Sequence, residues 1–260
     1  MLRYIKVWLI LSINSFQTFF LSRFGAVIFL TGKIVRFILY LVFLVLLVSK
    51  TKILAGYNLW QVILFYLTFN FIDSITQMLF REVYRFRQYI LSGNFDLLLV
   101  KPVNSLFRIL FGGTDFLDFI TLLPFIIFII IVIAQLPQIS LLGLLFYLLL
   151  LINAITIAMS FHILVMALAI LTLEIDHAIM IYRDFTGMGK LPVDIYGEPL
   201  RSFVTFVIPV GIMMTFPVKS LVGLLSFDAV IMAFVFGIIL FIVSLTVWNY
   251  SLRQYTSASS

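Results

Sequence analysis

Residues able to carry acid–base, metal or nucleophilic chemistry are scarce in this chain of 260 residues, which has eleven Asp and Glu, two His and no Cys. Their densest grouping is Glu174, Asp176, His177, Arg183 and Asp184. Asp176 and Arg183 are seven positions apart and so share one helix face. Two readings of this grouping stay open: an ion or substrate path through a membrane, or the hydrated end of a helix. Specific catalytic patterns fail. A zinc hydrolase needs H-E-x-x-H, which His162 and His177 do not supply. An intramembrane aspartyl protease needs paired aspartates and a Gly-x-Gly-Asp string; the nearest match, Gly187-Met188-Gly189-Lys190, ends on a lysine. No G-x-x-x-x-G-K-[ST] phosphate cradle is present. The absence of cysteine removes disulfides and thiolate metal sites. The reading is therefore of no enzyme, no catalytic residues, no metal ligands and no cofactor on this chain. Asn70, Asp73, Asp115 and Asp118 read as packing partners or cavity groups, and His162 as a hydrogen-bonded contact between helices.

The elements that must position these groups are apolar. Hydrophobic residues make up 63% of the chain and charged residues 11%, against about 25% charged in a soluble domain. Mean hydropathy is +1.22. The expected fold is an all-α integral membrane protein of one domain spanning 1–260, with six transmembrane helices. Leu2 to Phe24 is interrupted by Lys6, Asn14, Gln17, Thr18 and Arg23 and reads as an interfacial helix over 1–24, with a true first span as the alternative. Spans follow at Ile28 to Val48, Leu59 to Phe80, Phe116 to Ala134 with a kink expected at Pro124, and Leu141 to about Met166. Leu168 to Met188 reads as a polar fifth span facing protein or water, and Ala229 to Trp248 as the sixth, with Trp248 and Tyr250 as interfacial anchors. With both termini inside, eleven of the seventeen Lys and Arg fall on the cytoplasmic side, Lys33 and Arg36 among them. The net charge of +6 then serves orientation and anionic lipid, not nucleic acid.

Two segments stand apart. Phe80 to Arg108 places Val83, Phe86 and Ile90 on one helical face and Arg81, Arg85 and Gln88 on another. Gly93 suits a helix end, and Lys101-Pro102 forces an extended step. This is a surface helix, either held by arginines on anionic lipid or acting as a lever for a cytoplasmic partner. The second segment, 191–223, carries Pro192, Pro199, Pro209 and Pro217; its apolar part, split at Pro209, suits a re-entrant outer hairpin.

The pair resembles the ABC-2 type transporter permeases, specifically six-span permeases encoded apart from their ATPase. The resemblance rests on R-x-x-x-x-G-x-x-D-x-x-L-x-x-P-V, matched around Gly93, Asp96, Leu99, Pro102 and Val103 with Gln88 in place of the arginine. It also rests on Ile195-Tyr196, Leu200-Arg201, Thr205, Ile208-Pro209 and Pro217. It implies an ATP-binding-cassette exporter in the bacterial cytoplasmic (inner) membrane, built with a second permease subunit, identical or related. Separate ATPase subunits would hold ATP and Mg. It further implies that the segment 81–102 couples to the ATPase through Arg81, Arg85, Arg87, Gly93, Asp96, Lys101 and Pro102, and that Asp176, Arg183, Pro209 and Pro217 belong to the pathway or its gate. The competing reading is an autonomous channel or lipid scramblase, which would conduct without a motor.

Overall fold

The structure, a computed structural model, describes residues 2–21, 23–137, 139–172 and 175–256, and of these the side chains outside 18–23 and 173–176. Among them there is no strand. Twelve α-helices follow one another: α1 Leu2–Leu21, α2 Arg23–Thr51, α3 Leu59–Phe80, α4 Phe86–Leu91, α5 Asn94–Leu99, α6 Ser105–Leu110, α7 Phe116–Ala134, α8 Leu141–Thr172, α9 Ile175–Gly187, α10 Leu200–Ser202, α11 Phe216–Leu221 and α12 Phe227–Gln254. Five stretches are long and apolar enough to cross a membrane: Phe24–Thr51, Leu59–Leu91, Phe116–Ala134, Leu141–Thr172 and Phe227–Gln254. The chain is a multi-pass, all-α membrane protein.

Helix starts follow from local chemistry. Asn58 and Gln61 form a capping box at α3. Asp115 accepts from the Leu117 and Asp118 amides at α7, and Ser226 from Ala229 at α12. Pro124 sits inside α7 without ending it. Helix α3 is the central post: its most apolar stretch is 61% buried, against 11% for α2, whose outer face is left to lipid. Helices α8 and α12 run parallel, with Phe146 against Phe227 at their starts (6.1 Å) and the Asn153 amide donating to the Ala233 carbonyl (2.9 Å). Gly237 makes this approach possible, since a Cβ there would collide with the Asn153 amide.

Because α8 and α12 are parallel, the chain must return across the molecule between them. The polar span predicted over Leu168 to Met188 is corrected here. Residues 168–172 belong to α8, and α9 has only 13 residues, about 20 Å of helix, too short to cross alone. The return is completed by a 3-10 turn, Met188–Lys190, and a stretch leading to Asp194. Tyr182 of α9 packs against His162 in the second half of α8, toward the basal end where α3 finishes. Asp194 takes a hydrogen bond from Tyr57 (2.8 Å), next to the start of α3, at the opposite or apical end.

The hairpin follows. α10 runs into a π-helical turn, Phe203–Val207; a second π turn, Gly211–Thr215, leads into α11, and the limbs meet at 80°. Arg201 on the first limb and Lys219 on the last both reach Asp194, at 3.5 and 3.1 Å. The hairpin therefore enters and leaves at one end, as a re-entrant element must. Its backbone is tolerated because protein surrounds the returning limb: Ile212, Met213, Met214, Thr215 and Val218 are buried.

Candidate functional site

The basal segment is built as the apolar spacing predicts, but in pieces. Arg81–Arg85 is a 3-10 turn, followed by α4, a turn at Gly93 with φ +70°, α5, a bend at 101–103 where the extended step was expected, closed by the Val103 amide on the Lys101 carbonyl, and α6. The positive φ is why glycine stands at 93. Val83, Phe86, Ile90, Phe95 and Leu98 are all buried. Phe86 and Phe95 meet edge to face (5.1 Å), and both rings approach Trp248 of α12, at 6.1 and 6.5 Å. Phe95 also packs on Tyr255 (4.9 Å). Burial and the neighbouring Asp96 carboxylate push the Tyr255 phenol up to about 12. Trp248 is thus corrected from an interfacial anchor to a buried post, 2% exposed, under the segment; Tyr250 remains exposed.

The predicted coupling residues divide sharply. Arg81 is occupied by Asp115 (3.4 Å), by Gln77 and by the Tyr84 ring. Arg85 pairs with Glu82 (3.5 Å). Arg87 is half-exposed and has contacts within the chain. Asp96 is turned toward Tyr255. Pro102 accepts from Arg3 of α1 (2.8 Å), and Lys101 is exposed. The residue that sequence reasoning missed is Glu82. Its carboxylate is buried, accepts from the Tyr89 hydroxyl and holds Arg85. A lone acid between Arg81 and Arg85 was the available signal. The segment's exposed tip is apolar: Leu91, Leu97, Leu99 and Val100 are 51, 60, 40 and 80% exposed.

Helix α1 closes the other side of the segment. Tyr4 meets Phe107 edge on (4.9 Å), Ser12 bonds Thr114 (2.6 Å), and Phe16 packs on Phe116 (4.8 Å). Lys33 of α2 is paired with the buried Asp118 of α7, not placed in a loop.

A second feature lies above the segment. A cavity of about 330 Å³ opens between α2, α3 and α9, lined by Arg36, Phe69, Asp73, Met180, Arg183, Asp184, Thr186, Gly187 and Lys190. Arg183, a predicted pathway residue, is here. Pro209 and Pro217 are not: Pro209 sits at the hairpin bend, and Pro217 is buried in the first turn of α11, where its missing N–H is harmless. The side chain of Asp176 lies outside the described residues. His162 is corrected from an interhelical bond: its Nδ1 meets the Ala158 carbonyl of its own helix (2.8 Å), and its ring sits among Phe80, Tyr84 and Tyr182. Asn70 likewise donates to its own helix, to the Tyr66 carbonyl. No group of three metal-ligating side chains occurs among the described residues.

The apical clasp completes the geometry. Asp194 gathers Tyr57, Arg201 and Lys219, and burial beside that carboxylate raises the Tyr57 phenol above its ordinary range. Glu198 accepts from the amide and hydroxyl of Ser202, bonds that hold its carboxyl below the usual range.

The structure is a membrane bundle with a broken apical hairpin and an organised basal segment, and the family comparison says what class of protein carries them. A family model described as ABC-2 family transporter protein matches residues 34–259. The chain belongs to that family and is a membrane transport permease. Comparison with curated proteins and with solved structures gives no significant match.

Proposed function

We propose that this chain is the transmembrane subunit of an ATP-driven exporter in the bacterial inner membrane, with both termini and the segment 81–104 in the cytoplasm. A second permease subunit completes the pathway, and separate ATPase subunits bind ATP and Mg. The observation that carries this reading is the two-sided basal segment. Its underside is locked to α12 through Phe86, Phe95 and Trp248, while its tip exposes Leu97, Leu99 and Val100 beside Lys101. An apolar tip rimmed by charge is the chemistry of a protein interface. Closure of the ATPase subunits pushes that tip, and the push reaches the helix ends it rests on, biasing the bundle between two states.

The test is co-purification of the ATPase with the full chain. Leu97→Asp with Val100→Asp should abolish it while the permease still inserts and elutes as a single species. Arg85→Glu with Arg87→Glu should weaken it. Undiminished ATPase recovery and transport in both variants contradict the proposal. Conduction by the purified chain with no nucleotide-binding partner would favour the channel or scramblase reading instead.

A further inference from the structure

Five cations elsewhere in the bundle are matched to acids among the described residues. Lys33 pairs with Asp118, Arg81 with Asp115, Arg85 with Glu82, and Arg201 and Lys219 with Asp194. Even the larger basal cavity, of about 460 Å³ below α1, has its arginines engaged: Arg81 and Arg85 as above, and Arg108 on the Gly112 carbonyl. The cavity between α2, α3 and α9 differs. Arg36, Arg183 and Lys190 line it, and none has a carboxylate within 4.0 Å among the described residues. The Lys190 ammonium instead faces the rings of Tyr40 (5.7 Å) and Phe69 (6.0 Å).

Depth sharpens the point. Arg36 is near the middle of the 29-residue α2, and Asp73 is about 20 Å along α3 from its apical start. A cation held at such depth against lipid is strongly unfavourable, so these side chains serve a wet site. Asp73 and Asp184 are the acids in the same lining, so basic side chains outnumber acidic ones by three to two. Met180, in the same lining, is apolar and 62% exposed.

We propose that this cavity binds the phosphodiester headgroup of an amphiphile, with the guanidinium groups of Arg36 and Arg183 and the Lys190 ammonium on the phosphate oxygens. The acyl chains lie outside, on the apolar flank. The volume suits a headgroup, and the excess of basic over acidic side chains in the lining suits an anion. Resting on the permease reading, this names the substrate class: the exporter's cargo is an anionic amphiphile that enters sideways from the bilayer.

The experiment uses the purified full chain in neutral detergent, with native mass spectrometry reading retained lipid. The probes are dioleoyl phosphatidylglycerol, a cationic amphiphile with the same chains, and inorganic phosphate. Phosphatidylglycerol should be retained and the cationic amphiphile should not. Retention should fall about tenfold or more in Arg183→Gln with Lys190→Gln, the loss expected for charge-assisted bonds. It should survive in Arg183→Lys with Lys190→Arg, and in Arg253→Gln, which lies outside the cavity. Equal retention in the charge-removed variant, or equal retention of the cationic amphiphile, overturns the proposal. Displacement by millimolar inorganic phosphate shows a free-anion site and overturns the amphiphile assignment. Recovery of the ATPase with the same variants reports separately on the exporter reading, so the two can fail independently.

Discussion

Glu82 is the side chain on which the basal segment's shape depends. It is 4% exposed, accepts from the Tyr89 hydroxyl and faces Arg85, so it ties the 3-10 turn to α4. Glu82→Ala leaves a half-buried hydroxyl and a guanidinium without their acceptor. The loss should be about 1–3 kcal/mol, read as a lowered melting temperature in detergent and a drop in ATPase recovery. Glu82→Gln keeps an acceptor and should recover much of both. Asp194 plays the matching part at the apical end. Asp194→Ala strands Tyr57, Arg201 and Lys219 together, and should destabilise by about 1–3 kcal/mol. Limited proteolysis should then cut first within 196–202, whereas an unchanged digest shows that the clasp holds nothing. Neither residue was legible as an anchor in the sequence. Asp194 takes its hydrogen bonds from sites 25 and 137 positions away, which no local spacing reports, whereas Glu82's partners are three and seven positions away. The lone acid inside the arginine run was the one visible hint.

Helices show more clearly what periodicity reveals and what it hides. Five apolar spans and the amphipathic face of Val83, Phe86 and Ile90 were plain, because an apolar run or a 3.6-residue stripe is itself the cause of burial. The extent of α8 was cut short: the apolar run continues from Ala167 through Leu171, and the helix continues with it to Thr172. The polar return through α9 was seen as a crossing but assigned too much helix. Trp248 looked like a lipid-facing anchor because a tryptophan near a span's end usually is one; only the tertiary packing of Phe86 and Phe95 shows which way it turns. At this scale the α8–α12 contact is directly testable. Gly237→Ala forces the Asn153 amide off the Ala233 carbonyl, and the melting temperature should fall by the equivalent of about 1 kcal/mol or more. Adding Asn153→Ala to that chain should remove most of the collision, so the two changes should be strongly non-additive. Simple additivity would mean that the glycine is not what admits the amide.

As a whole molecule the protein is a bundle with two differently made ends. The apical end is clasped by Asp194 around a re-entrant hairpin, and the basal end is wedged by a segment that rests on α12 and shows its apolar tip outward. A polar cavity lined by Arg36, Arg183 and Lys190 with Asp73 and Asp184 lies between them. The family and the broad plan were readable from loose motifs because the two unusual segments occur together, a basic break after the second span and a proline-split stretch before the last. The cavity was not readable, because Arg36, Asp73, Arg183 and Lys190 come from three separate regions of the chain. The account stands on the basal segment being cytoplasmic and covered by a motor. The native chain has no cysteine, so Leu97→Cys gives one reporter on an otherwise silent background. With a membrane-impermeant maleimide, this thiol should stay unlabelled in intact cells, react in inverted vesicles stripped of ATPase, and be shielded again when the ATPase is restored. Labelling in intact cells, or reaction in the vesicles that the ATPase leaves unchanged, contradicts the account at its centre.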